Sequence, residues 1–308
     1  MAGTERTVLI TGASTGIGEA CALRLDRAGW RVLAGVRKDT DGERLRSQGS
    51  ERLSPVRIDV ADEGSIASAR DAVASMLGAR GLDGLVNNAG IAVAGPLEFL
   101  PIDELRRQLE VNVIGQIAVT QAFLPAIRKS RGRIVNMGSI GGRMATAILG
   151  PYNASKFAME GLTDALRQEL RPWGINVAII EPGSIATPIW DKSQALADTL
   201  EERLPREGHA LYDGIIKAVR EFAVETGRRG VPPDRVAKAV EHALTSKRPK
   251  TRYLVGFDAR MQALLKSIAP DRVLDSLVSR QLKLPKDAPQ NVETPAVERE
   301  EVGAGERR

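Results

Sequence analysis

The sequence predicts an α/β fold, a doubly wound parallel sheet of about seven strands. Short β-branched runs alternate with longer amphipathic stretches over residues 7–257. Several of the short runs are apolar almost throughout, as strands buried on both faces must be. Glycine-rich turns join the two kinds of segment, with 30 glycines in the 308 residues. Strand–helix alternation with right-handed crossovers leaves few other architectures. In such a sheet the strand order reverses beside the first strand, and a ligand crevice opens there.

The elements follow in order. The first strand, 7–10, runs through a glycine turn into a helix over 16–29. Strands at 31–36, 55–58 and 84–87 alternate with helical patterns at 40–48, 62–79 and 102–130. Strand 132–137, helix 152–173 and strand 175–180 continue the rhythm. Residues 184–230 then break it, with helical patterns around 191–204 and 209–227. An excursion of that length at the carboxyl end of a sheet reads as a lid or substrate wall. A helix over 232–247 and a strand over 252–255 complete a catalytic domain spanning 1–257. Residues 258–284 form an amphipathic, helical C-terminal extension carrying Met261, Leu264, Ile268, Leu274 and Leu277. It packs on the core or on a partner, or caps an apolar substrate. Residues 285–308 are rich in Pro, Glu and Arg with little to bury, so a disordered tail is expected.

Composition excludes several function classes. The net charge is +5, but basic residues are scattered among acids and aromatics make up only 4%, so no nucleic-acid stripe forms. A mild cationic excess suits an anionic cofactor instead. The single cysteine, Cys21, permits no internal disulfide framework, and no Cys/His cluster has metal-ligand spacing. Residues 1–10 lack a basic-then-apolar leader and no apolar run spans a bilayer, so a cytoplasmic setting without an integral membrane segment is expected. His209 and His242 have no sequence partners, and Cys21 falls on the apolar side of its helix. Trp173, after Arg171-Pro172, marks a helix end.

The chemistry concentrates in two places. Gly12, Ser14, Thr15, Gly16, Ile17 and Gly18 lie in a turn between the first strand and the first helix. Glycines there let a backbone approach a ligand, and a helix N-terminus offers free N–H groups to a phosphate. The spacing Gly-x-x-x-Gly-x-Gly is a variant of the dinucleotide fingerprint. Tyr152 and Lys156, four residues apart, share one face of a helix, with Ser139 thirteen residues upstream of the tyrosine. An ammonium near a phenol lowers its pKa, and such a phenol can transfer protons near neutrality. Alone, a Tyr-x-x-x-Lys pair is an ordinary surface spacing.

These segments occur in order with Asn87-Asn88-Ala89-Gly90, Asn112 and Pro182-Gly183. Together they resemble the classical short-chain dehydrogenases/reductases over about residues 5–257. The resemblance implies a Rossmann-type domain, NAD(H) or NADP(H) as cofactor, and redox between an alcohol and a carbonyl. It implies that Tyr152 is the general acid–base, that Lys156 tunes it and bonds the nicotinamide ribose, and that Ser139 holds the substrate oxygen. Asn112 completes the tetrad through a water that relays protons from Lys156. Asp59 and Val60 match the adenine-contacting pair, Asn87, Ala89 and Gly90 the ribose segment, and Pro182, Gly183 and Thr187 the nicotinamide loop. Arg37 stands where an acid would select NAD, so NADP(H) is favoured and NAD(H) remains possible.

Residues 139–150 form the substrate-side loop, mostly apolar, with Met144 inside it and Trp190 flanking the crevice as candidate substrate contacts. The segment 152–182 and the C-terminal extension resemble the retinol and hydroxysteroid dehydrogenase subgroup, which implies a lipophilic alcohol or ketone. A 3-oxoacyl thioester or polyol substrate is the alternative, as is a non-catalytic NADP-sensing role. The family's usual assembly implies a homodimer or homotetramer built on helices 102–130 and 152–173.

Overall fold

A computed structural model describes residues 5–187, 189–285 and 287, with the backbone alone for 189–193 and 228. Seven strands form one parallel sheet: β1 (Thr7–Ile10), β2 (Arg31–Val36), β3 (Leu53–Arg57), β4 (Gly84–Asn87), β5 (Arg133–Met137), β6 (Asn176–Pro182) and β7 (Arg252–Val255). Their order is β3-β2-β1-β4-β5-β6-β7, so the direction of winding reverses between β1 and β4. The switch-point crevice is therefore where the sequence places it.

Helices cover both faces. On one, α1 (Gly16–Arg27) packs against α9 (Pro233–Thr245), and Cys21, Leu25, Val236 and Val240 join Val8, Ile10 and Val135 in the core. On the other, α3 (Glu63–Leu77) and α5 (Gly115–Ser130) bury Val73, Phe123 and Ile127 against Leu9, Leu33 and Leu85. Neighbouring residues of each strand thus face opposite cores, which is why these strands read as continuous apolar runs. A short α2 (Asp39–Gln48) precedes β3.

Besides shifts of one or two residues at other element ends, four differences from the sequence expectation matter. β3 begins at Leu53, with Pro55 inside it; an edge strand bonded only to β2 tolerates a residue without an N–H. The helix expected over 102–130 is divided into α4 (Ile102–Leu109), a π turn at Glu110–Ile114, and α5. Helix α6 (Gly150–Leu170) starts two residues earlier than expected and closes in a 3₁₀ turn, Arg171–Trp173, around Pro172. The second helix of the excursion is longer than its periodicity suggests, running from Arg206 to Arg229.

That excursion is a pair of helices, α7 (Ile189–Glu202) and α8 (Arg206–Arg229), after β6. The C-terminal extension is a helix pair, α10 (Phe257–Ile268) and α11 (Asp271–Gln281). Ala259 and Ala263 of α10 pack on Ile140 in the substrate-side loop, and Asp258 accepts from Ser184 N at 2.7 Å. The expected disordered tail falls almost entirely outside the described residues. Among these, no helix is long and apolar enough to cross a membrane, and no group of His, Cys, Asp and Glu could hold a metal ion.

Candidate active site

The glycine turn is stitched to the strand on the other side of the switch point. Thr11 Oγ1 accepts from Asn88 N and Ala89 N, each at 3.0 Å, while Asn88 Nδ2 donates to the carbonyls of Thr11 and Gly12. Gly12 has φ +64°, and a Cβ there would lie 2.7 Å from Ala89 Cα, so no other residue fits. A Cβ at Gly18 would overlap the Gly12 carbonyl, which shows that this glycine allows helix and turn to close on each other.

A crevice of about 560 Å³ opens above these strand ends. Gly12, Ser14, Thr15, Gly16 and Ile17 line it at the N-terminus of α1, where the helix dipole and first-turn N–H groups favour an anion. Arg37, Asp59 and Val60 line the end beyond β2 and β3; Ala89 and Gly90 line the floor; Pro182, Gly183 and Thr187 line the far side. Asn112, Ser139, Tyr152 and Lys156 reach the same space. A glycine cradle, a helix N-terminus and a cation at one end suit a nicotinamide dinucleotide.

Two expected cofactor residues stand elsewhere. Gly18 lies behind the turn, in the packing contact described above. Asn87 is buried beneath the floor, where its Nδ2 donates to Thr120 Oγ1 at 2.8 Å and Asn136 Oδ1 at 2.9 Å, clamping β4 to α5 and β5. Its neighbour Asn88 lines the crevice instead, because side chains alternate along an extended segment. Lys38 also lines the crevice beside Arg37, as do Asp41 and Arg107. Lys38 adjoins the basic position already singled out. Arg107, held to Glu104 at 2.6 Å, sits on α4 with no local signal in the sequence.

The candidate proton-transfer group assembles from the turn after β5 and from α6. Ser139 lies two residues past β5 and accepts from Gly141 N at 3.0 Å, which fixes its hydroxyl at the head of a tight turn. Tyr152 and Lys156 occupy successive turns of α6, and the ammonium lies 5.7 Å from the phenol ring centre. Lys156 Nζ donates to Met137 O at 2.8 Å. Burial pushes the Lys156 pKa down to about 8. Burial raises the Tyr152 pKa, and a hydrogen bond with Ser139 pulls it part of the way back. Burial is thus the leading influence on the phenol, and Lys156 directs one of its three N–H groups to the Met137 carbonyl.

Asn112 lies in the π turn, nine-tenths buried or more, and its side chain is fully engaged. Its Oδ1 accepts from Ile91 N at 2.8 Å, and its Nδ2 donates to Ile91 O at 3.0 Å and Ser155 Oγ at 3.1 Å. It thus ties the segment after β4 to α6 one residue before Lys156.

Behind the site lies an ion cluster that the sequence did not signal. Glu181, fully buried in β6 just before Pro182, pairs with Arg143 of the substrate-side loop at 2.5 Å and Arg252 of β7 at 3.5 Å. Arg252 also reaches Glu160 and Asp164 of α6. Burial, then the neighbouring Glu181, raises the Glu160 pKa to about 7. The cluster joins the loop at 139–150, α6, β6 and β7.

A second, apolar cavity of about 540 Å³ adjoins the crevice, with Thr187 in the wall of both. Phe99, Leu100, Ile148 and Leu149 line it from the body, and Leu200, Leu204, Ile216 and Val219 from α7, α8 and the turn between them. Met144 lines neither space; it is partly buried behind the substrate-side loop, with its N–H on Ile140 O. The Trp190 side chain lies outside the described residues. Neither α10 nor α11 contributes to either wall, so the extension braces the substrate-side loop rather than capping it.

Fold and site together define a nicotinamide-dependent oxidoreductase of the doubly wound α/β class. Residues 6–197 match the short chain dehydrogenase family. Mouse "Retinol dehydrogenase 5" is 37% identical over 287 residues, 90% of this chain and 88% of its own length. Human "17-beta-hydroxysteroid dehydrogenase type 6" is 37% identical over 292 residues, 92% and 91% respectively. Among solved structures, a short-chain dehydrogenase from Streptomyces avermitilis superposes with TM-score 0.70 at 28% identity, covering 91% of this chain and 99% of its own. One from Burkholderia cenocepacia, in complex with NADP, gives 0.67 at 26%, with 89% and 97% covered. The chain belongs to the short-chain dehydrogenase family, and its relatives place it with the retinol and hydroxysteroid dehydrogenases.

Proposed function

We propose that the protein interconverts a lipophilic alcohol and its carbonyl compound, with NADP(H) favoured over NAD(H). The observation that carries this reading is the convergence of Ser139, Tyr152 and Lys156 at a dinucleotide-shaped crevice that shares Thr187 with an apolar cavity. Relatives named for retinol and hydroxysteroids support the substrate class. Arg37 and Lys38, at the end of β2, support the cofactor preference, since both can pair with a 2′-phosphate.

When bound, the nicotinamide supplies or accepts the hydride. The chain's own residues manage the oxygen and its proton. Ser139 donates a hydrogen bond to the reacting oxygen, and Tyr152 gives or takes the proton there. Lys156 holds the ribose side of the cofactor and keeps a positive charge beneath the phenol. Gly12, Gly16 and the N-terminus of α1 hold the pyrophosphate, and Pro182, Gly183 and Thr187 hold the carboxamide end. The apolar cavity excludes water from the rest of the substrate.

Tyr152→Phe is expected to reduce turnover by at least a thousandfold while NADPH still binds, as titrated by intrinsic fluorescence. Near-normal activity of that variant would overturn the assignment. Arg37→Asp is expected to weaken NADPH binding at least tenfold more than NADH binding; an unchanged ratio argues against the cofactor preference. A homo-oligomer is supported by exposed Ile114, Phe157 and Leu162 near and along the long helices, and light scattering on the purified chain reads it directly. A cytoplasmic setting remains the proposal from the lone, buried Cys21, with cell fractionation as its check.

A further inference from the structure

The apolar cavity contains one charged feature. Among its described lining side chains only Glu201 and Arg220 are charged, and they pair with each other. Arg220 Nη2 donates to Asp198 Oδ1 at 2.6 Å and Glu201 Oε2 at 2.5 Å. A guanidinium has five N–H donors, and the groups on Nε and Nη1 have no partner among the described residues. The two carboxylates already offset the positive charge. What the site offers is donors without net positive charge, which suits a neutral oxygen and disfavours a carboxylate.

Its position is fixed by the way α8 is attached. Just past the helix end, Val231 N donates to Ser184 O at 3.0 Å and Ala186 N to Val231 O at 3.1 Å, stitching α8 to the nicotinamide-side loop. Gly227 lines the cavity close to that stitch, and Ala223 and Arg220 line it further along the same face. Arg220 lies seven residues before Gly227, about 10 Å of helix rise. The donors therefore stand about two turns along the α8 wall from the nicotinamide-side loop, with Ile216 lining the cavity one turn beyond.

We propose that the substrate is a lipophile bearing a second, neutral oxygen well away from the reacting carbon, a keto or hydroxyl group to which Arg220 donates. This rests on the reading that a lipophilic alcohol or ketone occupies the cavity. Hydrocarbon lying over Nε and Nη1 would strip their water and return nothing. A site built to hydrogen-bond an oxygen rejects the analogue lacking it far more strongly than an apolar pocket distinguishes one methylene. Arg220 is thus a specificity-determining residue, separate from the proton-transfer group.

The test compares two rigid polycyclic ketones with the same reacting carbonyl, a steroid dione and the monoketone lacking the far oxygen. NADPH consumption is followed for the unmodified protein, Arg220→Leu and Arg220→Lys. The unmodified protein is expected to prefer the dione by tenfold or more in kcat/KM. Arg220→Leu brings the ratio near one, chiefly by raising KM for the dione, and Arg220→Lys retains part of the preference. A ratio near one in the unmodified protein, or the same ratio in Arg220→Leu, overturns the proposal. Loss of lid packing alone would depress both ketones equally and leave the ratio unchanged, so it counts against the role. If both ketones are reduced equally, the lipophile reading stands and the Arg220 role fails. If neither is reduced while a small polar ketone is, both fall.

Discussion

Tyr152 shows how far a spacing can be taken. Four residues on a helix put its ring near the Lys156 ammonium, one N–H of which is directed at Met137 O, while burial pushes the phenol's pKa up and Ser139 pulls it part of the way back. Burial acts on a carboxyl too: Glu160, one turn beyond Lys156, has its pKa raised from 4.5 to about 7. It faces Glu181 and Arg252, with Asp164 and Arg143 in the same cluster. An acid raised in the folded state keeps its proton where the unfolded chain has lost it. Stability therefore falls as pH climbs from about 4.5 to about 7 and levels off above. Glu160→Gln is expected to flatten that fall and to melt a few degrees higher than the unmodified protein at pH 7.5 (about 2–5 °C). Calorimetry across pH 5–8 checks it, and parallel curves for the two proteins would rule out a raised Glu160.

At the scale of elements, the π turn at Glu110–Ile114 is the feature that helical periodicity could not foretell. A single inserted residue leaves the apolar pattern of 102–130 almost unchanged, yet it redirects the side chains that follow. The turn sets Asn112 against Ile91 and Ser155, and Gly115 against the Val60 carbonyl, where a Cβ would overlap the oxygen. Asn112→Ala removes three buried hydrogen bonds and leaves Ile91 N–H and C=O without their side-chain partner. A loss of about 2–4 kcal/mol is expected in urea denaturation. Turnover should fall further than NADPH affinity, because the bonds lost adjoin Lys156 rather than the pyrophosphate cradle. An unchanged denaturation midpoint would show that the clamp is dispensable.

At the scale of the whole molecule, a rigid sheet holds the chemistry and a separate helix pair walls the apolar cavity. Helix α8 is fastened at one end by the Ser184–Val231 bonds and toward the other by Tyr212, whose hydroxyl donates to Glu98 Oε2 at 2.6 Å. The Tyr212 ring also meets Phe99 edge-on, 5.9 Å between centres. Both latch residues on the body belong to the segment between β4 and α4, which lines the cavity opposite the helices. Tyr212→Phe keeps the ring contact and removes the hydrogen bond. KM for a lipophilic substrate is expected to rise about two- to fivefold, the worth of one exposed bond to a charged group, with NADPH affinity unchanged. Steady-state kinetics and a cofactor titration separate the two, and an unaltered KM would mean that the latch does not hold the wall in solution.

The sheet, its switch point, the glycine cradle and the Ser139, Tyr152 and Lys156 group were legible because each depends on residues close in sequence. Short continuous apolar runs, a glycine-rich turn and a four-residue helical spacing are local facts. Asn87 and Asn88 were not separable, since both belong to one motif and only the direction of each side chain sends one beneath the floor and the other into the crevice. The ion cluster joins residues 143, 160, 164, 181 and 252, and the paired walls of the cavity join residues about 50 to 130 apart. No local pattern announces such pairings, because burial and charge balance there are set by how the helices pack over the sheet. The sequence by itself determined the family and the fold, and it singled out Ser139, Tyr152 and Lys156, which the structure brings to one crevice. Only the tertiary structure decided the burial around Tyr152, the bonds of Asn112 to Ile91 and Ser155, and the charged pair of Glu201 and Arg220 in a largely apolar cavity, since each depends on what other segments bring within a few ångströms.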